Sequence, residues 1–285
     1  MSRLESSMAQ VGDLRMHYQC GGDGPPIFLL HGWPQTSHCW HRVAGPLAET
    51  HTLIAPDLRG YGRTDKPRGG YDKRTMAADL AQLAEQLGFD RVAVVGHDRG
   101  GRVGHRWALD RPDQVERLAV LDIAPTREMW RRMDSVIAKE GYWHWFFHLQ
   151  PDLPELLAGS NIAAYLGYFF ERWTFQRQGL AAEDVDEYVR AFSAPGALRA
   201  GFDDCRAAFP DDADLDDADY AAGKRLTQPV LALWGLAGLL GKFPTLDIWR
   251  DYADNVTGAG LENCGHFLPE EQPEEVVAHL RKFLG

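Results

Sequence analysis

Short apolar runs that stop at loop residues recur through the first half of the chain: Ile27 to Leu30, Thr52 to Ala55, Val92 to Val95 and Leu118 to Leu121. Unbroken apolar runs of this length suit strands buried on both faces of a parallel sheet. Between them, Thr75 to Leu87 carries Met76, Leu80, Leu83 and Leu87 at helical spacing, and Arg102 to Leu109 reads the same way. Alternating strand and helix predicts an α/β fold with a mostly parallel, doubly wound sheet.

From about Pro125 to Ala222 the pattern changes to aromatics and helix formers, with Tyr142-Trp143-His144-Trp145-Phe146-Phe147 and then Tyr165 to Trp173, and no clean strand. Strand character returns at Val230 to Gly235, and an amphipathic helix follows from about Pro273 to Phe283. The organisation expected is an α/β core made of 1–124 and 223–285, interrupted by a helical cap over 125–222. The acidic stretch Asp211 to Asp219 reads as a solvated loop.

Composition narrows the class of partner. A formal net charge of -11 over 285 residues disfavours nucleic acid or an anionic membrane, yet a local basic site could still hold a small anionic substrate. Cys20, Cys39, Cys205 and Cys264 lie far apart, so neither a disulfide framework nor a cysteine zinc site is suggested, and free thiols in a reducing cytoplasmic compartment are expected. The opening residues lack a signal-peptide apolar run, and no stretch approaches the roughly 18 apolar residues of a membrane span. No cofactor or metal is called for.

Val92 to Val95 runs into Gly96-His97-Asp98-Arg99-Gly100-Gly101 and then a helix. Strand, glycine-framed turn and helix form the setting of a nucleophile elbow, the hallmark of the α/β-hydrolase fold. Here the central residue is Asp98. A carboxylate can displace a leaving group from saturated carbon and become an ester, which water must then cleave with help from a general base and an oxyanion hole. The plainer reading is an aspartate capping the helix.

The chain order nucleophile, acid, histidine points to His266, in Cys264-Gly265-His266-Phe267, as the base. The strand after the cap is followed by Leu236-Ala237-Gly238-Leu239-Leu240 with no carboxylate, so the orienting acid is assigned to Asp122, directly after Leu118 to Leu121. The loop His31-Gly32-Trp33-Pro34-Gln35 supplies Trp33 N–H to the oxyanion hole, and Arg99 N–H is the second donor.

With these parts in place, the chain resembles over nearly its whole length the fluoroacetate (haloacetate) dehalogenases, relatives of haloalkane dehalogenases and epoxide hydrolases. The most specific marker is Asp98-Arg99-Gly100-Gly101-Arg102. The resemblance implies that Arg99 and Arg102 bind a substrate carboxylate, that His144 and Trp145 bind the halide, that Trp173 lines the cap pocket, and that the chain forms a homodimer. Three residues apart on a helix, the two arginines can share a face beside Asp98, although they could instead brace fold carboxylates. The aromatic segment could equally be plain core. Cys205, in Asp203-Asp204-Cys205-Arg206, stands where the family places a tyrosine halide donor. A thiol donates weakly, which puts fluoride departure in doubt more than chloride or bromide.

The reaction expected is hydrolysis of a 2-haloacid to a 2-hydroxy acid through an Asp98 ester. The rivals are an epoxide hydrolase, for which Tyr142, Tyr165 and Tyr168 are available acids, and a non-catalytic ligand-binding relative of the same fold.

Overall fold

The computed structural model describes residues 4–176 and 180–285. Eight strands, β1 (Glu5–Val11), β2 (Leu14–Gly21), β3 (Pro26–Leu30), β4 (Thr52–Pro56), β5 (Val92–His97), β6 (Val115–Leu121), β7 (Val230–Gly235) and β8 (Val256–Leu261), form one sheet in the order β1-β2-β4-β3-β5-β6-β7-β8. The pairs β1 with β2 and β2 with β4 are antiparallel, and all others are parallel. The apolar runs of β3, β5 and β6 lie in the middle, where Ile27, Phe28, Leu29, Val94, Val95, Leu118 and Leu121 lose all exposure. Helices on both faces demand this continuous hydrophobicity.

Two elements escape the pattern of apolar runs. The β1–β2 hairpin closes at Val11 opposite Leu14, across Gly12 at φ +56°. Its outer strand is mostly polar, so the buried apolar positions of the hairpin are few: Val11 on β1, and Leu14 and Met16 on β2. β8 holds two glycines and only a partly buried apolar set, which gives it little strand signal of its own.

Between β6 and β7 the described residues are helical, with the longer helices at Trp143–His148, Ile162–Trp173, Ala182–Phe192, Ala197–Ala207 and Ala213–Ala221. The acidic stretch expected as a solvated loop is instead largely the helix Ala213–Ala221 and the turn leading into it. Asp212 is buried and accepts from Lys73 N at 2.8 Å, so this stretch packs onto the helix Lys73–Gln86. That helix begins at Asp72, whose carboxylate accepts from Thr75 N at 2.9 Å.

Sheet register positions the chemistry. β5 and β6 pair with His97 opposite Leu121, so the residues just beyond them, Asp98 and Asp122, emerge side by side at the carboxyl edge of the sheet. Ligands bind at this edge in open α/β sheets. The helical segment after β6 lies over it.

Candidate active site

Asp98 opens the helix Asp98–Asp110 with φ +47°, a left-handed conformation that costs a non-glycine residue about 1–3 kcal/mol and is held only by its surroundings. Glycines make the turn possible. A Cβ on Gly100 would collide with the carbonyls of Leu30 and His31, and one on Gly32 would collide with the Asp98 side chain. The strand end, the turn and the loop after β3 are thus pressed together, and Trp33 N donates to Asp98 Oδ1 at 2.8 Å. His31 braces that loop, with Nδ1 donating to Gly32 O at 3.0 Å and Nε2 accepting from Leu58 N at 3.0 Å.

His266 stands on the other side of Asp98, with Nε2 3.7 Å from Asp98 Oδ2. Its Nδ1 donates to Asp122 Oδ2 at 2.6 Å, and Asp122 Oδ1 accepts from Gly235 N at 3.0 Å. Asp122 also has positive φ, +50°, and is fixed through its own N–H to Leu233 O at 2.8 Å. Asp122 therefore hangs from β6 and is steadied by β7. His266 Nε2 is buried and finds no hydrogen-bond partner among the described residues.

Charge couples these groups. Burial opposes the charge of Asp98, but the positive charges of His266, Arg99 and Arg102 outweigh it and hold the carboxyl below its ordinary value. Burial likewise opposes charge on His266, and there the Asp122 hydrogen bond, the Asp122 charge and the Asp98 charge prevail and raise it. His97, pushed down to about 3 by burial and by His266, is neutral and donates from Nε2 to His266 O at 2.7 Å.

A cavity of about 230 Å³ opens onto Asp98, Asp122 and His266 and is lined further by Arg102, Tyr142, His144, Trp145 and Trp173. Of the two arginines expected to bind substrate, the geometry separates them. Arg102 lines the cavity, lies 5.1 Å from the centre of the Trp145 ring, and gives Nη1 to Thr126 Oγ1 at 3.0 Å. It has no carboxylate within ion-pair distance among the described residues, and its Nε is buried without a partner. Arg99 is not among the lining residues. Its Nε and Nη2 grip Asp204, at 3.2 Å and 2.7 Å to Oδ1, so it braces a fold carboxylate on the helix Ala197–Ala207.

His144 and Trp145 both face the cavity. Burial drives His144 down to about 3, leaving a neutral ring. Trp173 packs its indole 5.1 Å from the His266 ring and 5.0 Å from that of His144. Cys205 is not a lining residue: its thiol lies 3.3 Å from His148 Nδ1, and His148 Nε2 is bonded to Tyr165 OH at 2.6 Å.

Sequence reasoning missed the lock on the histidine loop. Glu271 accepts from Gly265 N at 3.0 Å and Phe175 N at 2.7 Å through Oε2, and from Phe267 N at 2.9 Å through Oε1. His266 N also donates to Trp173 O at 2.7 Å. No local signal marks Glu271 for this work beyond its place five residues after the histidine.

Comparison with known proteins bears on the fold that carries these residues. Residues 25–273 match a family described as alpha/beta hydrolase fold. The chain is 41% identical over 287 residues to a soluble epoxide hydrolase of Corynebacterium sp. (strain C12), covering 99% of this chain and 98% of that one. It is 40% identical over 289 residues to a fluoroacetate dehalogenase of Burkholderia sp, covering 99% and 94%. The solved epoxide hydrolase CorEH, without ligand, superposes with a TM-score of 0.93 at 39% identity, covering 99% of this chain and 98% of that one.

Proposed function

Because the chain belongs to the alpha/beta hydrolase fold family, we propose that it is a hydrolytic dehalogenase that converts 2-haloacids such as haloacetates to 2-hydroxy acids. The observation that carries this reading is Arg102, a buried guanidinium in the same cavity as Asp98 with no carboxylate of its own. A buried cation is costly unless paired, and an incoming carboxylate would pair it. Its pKa is lowered by burial, which Tyr142, Asp98 and Asp216 offset only in part and to which Arg99 adds.

Held by Arg102, the substrate presents its α-carbon to Asp98, which is ionised at neutral pH. Attack forms a C–O bond, breaks the carbon–halogen bond and expels halide toward His144 and Trp145. Trp33 N–H, already on Asp98 Oδ1, is placed to hold the oxyanion when water attacks the ester carbonyl. Arg99 serves there through its backbone N–H, while its side chain stays with Asp204.

The charge coupling gives the base its timing. While Asp98 is anionic it raises the pKa of His266, and esterification removes that charge. His266 then gives up its proton more readily and acts as base for the second step, with Asp122 holding its orientation.

A second reading, epoxide hydrolysis, is favoured by Tyr142. Its phenol lines the cavity with a pKa pushed up to about 12 by burial, so it stays protonated and could donate to an opening oxygen. The other two tyrosines fit this task less well, because Tyr165 is bonded to His148 and Tyr168 is exposed. One panel separates the readings: halide release from fluoro-, chloro- and bromoacetate beside hydrolysis of a simple aliphatic epoxide. Halide release that falls about 10- to 100-fold in kcat/KM in Arg102→Leu, the loss of a charge-assisted hydrogen bond, supports the dehalogenase. Epoxide turnover with no halide release overturns it.

A further inference from the structure

Outside the cavity, where the Ser37–Trp40 turn and the helix His41–Leu47 meet the helix Ala182–Phe192, three potential ligand atoms converge within 4.8 Å: one ring nitrogen each from His38 and His41 and a carboxylate oxygen of Asp184. His38 Nε2 lies 2.7 Å and His41 Nε2 3.6 Å from Asp184 Oδ1. Ligands on a tetrahedral ion with bonds of about 2.0–2.1 Å sit roughly 3.3–3.4 Å apart, between these two values.

Protonation strengthens the case. His41 Nδ1 is 2.9 Å from the carbonyl of His38, which can only accept, so Nδ1 bears the proton. Arg42 Nε donates to His41 Nε2 at 3.3 Å, so that nitrogen presents a lone pair. A bare nitrogen and a carboxylate facing each other at 3.6 Å repel unless a cation lies beside them. Arg42 is that cation, with Nη2 also 3.4 Å from Asp184 Oδ2.

We propose that His38, His41 and Asp184 bind a divalent transition-metal ion, of the zinc class, in competition with the Arg42 guanidinium. His38, its side chain about one third exposed, moves its proton from Nε2 to Nδ1, and Arg42, about one third exposed, swings toward solvent. Water completes the shell on the open side. The role is structural. The ion ties the helix Ala182–Phe192 to the turn that follows the Trp33 loop, and it takes no part in the reaction at Asp98.

Zinc chloride titrated calorimetrically into the whole chain tests this. One equivalent should bind, with affinity lowered about tenfold or more in His41→Gln and Asp184→Asn and increased in Arg42→Gln, where the competitor is gone. Circular dichroism checks that each variant is folded. No stoichiometric uptake, equal uptake in the ligand variants, or weaker uptake in Arg42→Gln would overturn the proposal. If either ligand variant fails to fold, the sign of the Arg42→Gln change still decides.

Discussion

Asp98 and His266 share an electrostatic account, and each reports on the other. Replacing Asp98 with Asn imitates the uncharged ester, so the His266 pKa should fall in Asp98→Asn relative to the parent chain, followed by NMR titration of the imidazole. An unchanged pKa would remove the proposed timing of the base. Asp98→Asn should also cost at least about a thousandfold in kcat. A single turnover in oxygen-18 water should label Asp98, and His266→Ala should accumulate the alkylated enzyme, both read by mass spectrometry. Asp98 and His266 were legible because each sits in a short pattern whose local geometry is encoded nearby: glycines around one, and the last strand and helix around the other. The Arg99 side chain was not legible. Its partner Asp204 lies 105 residues away on another helix, and only packing decides that Arg99 turns there while Arg102 stays in the cavity.

At the level of elements, the loop carrying His266 has almost no regular structure and borrows its rigidity from Glu271. Removing that carboxylate frees the N–H groups of Gly265, Phe175 and Phe267 together. Glu271→Ala should lower kcat by up to about a hundredfold, the cost of roughly an ångström of misplacement, with KM changed little. The N-cap of the helix Lys73–Gln86 gives a control remote from the chemistry: Asp72→Ala should lose about 1 kcal/mol in urea unfolding and keep kcat. The central strands could be read from sequence because burial on both faces leaves an unbroken apolar signature. The β1–β2 hairpin, wet on one side, and the glycine-containing β8 leave none. The acidic stretch misled for a related reason: Asp212 is buried against Lys73, a partner that a local charge pattern does not reveal.

Across the whole molecule, the helical segment and the sheet are joined by buried polar groups as well as by apolar packing. Glu270 is the clearest case. Tyr188 OH donates to it at 2.7 Å, Gln35 Nε2 donates to its other oxygen, and burial with the nearby Asp184 charge pushes its pKa up to about 8. A carboxyl raised in this way favours folding while protonated. Its contribution is complete below about 4.5 and disappears as pH rises through about 8. Glu270→Gln should therefore flatten the pH dependence of stability over that window, measured by denaturant unfolding at several pH values. An identical slope in both proteins would exclude Glu270 as its source. The bond from His266 N to Trp173 O carries a different implication. The roof of the cavity and the backbone of His266 are stitched at one peptide, so displacing the roof far enough to flood the cavity also pulls His266 off line from Asp122. Bulk solvent in the cavity and an aligned His266 therefore exclude each other, so under the proposed mechanism hydrolysis is confined to the state in which the roof is seated.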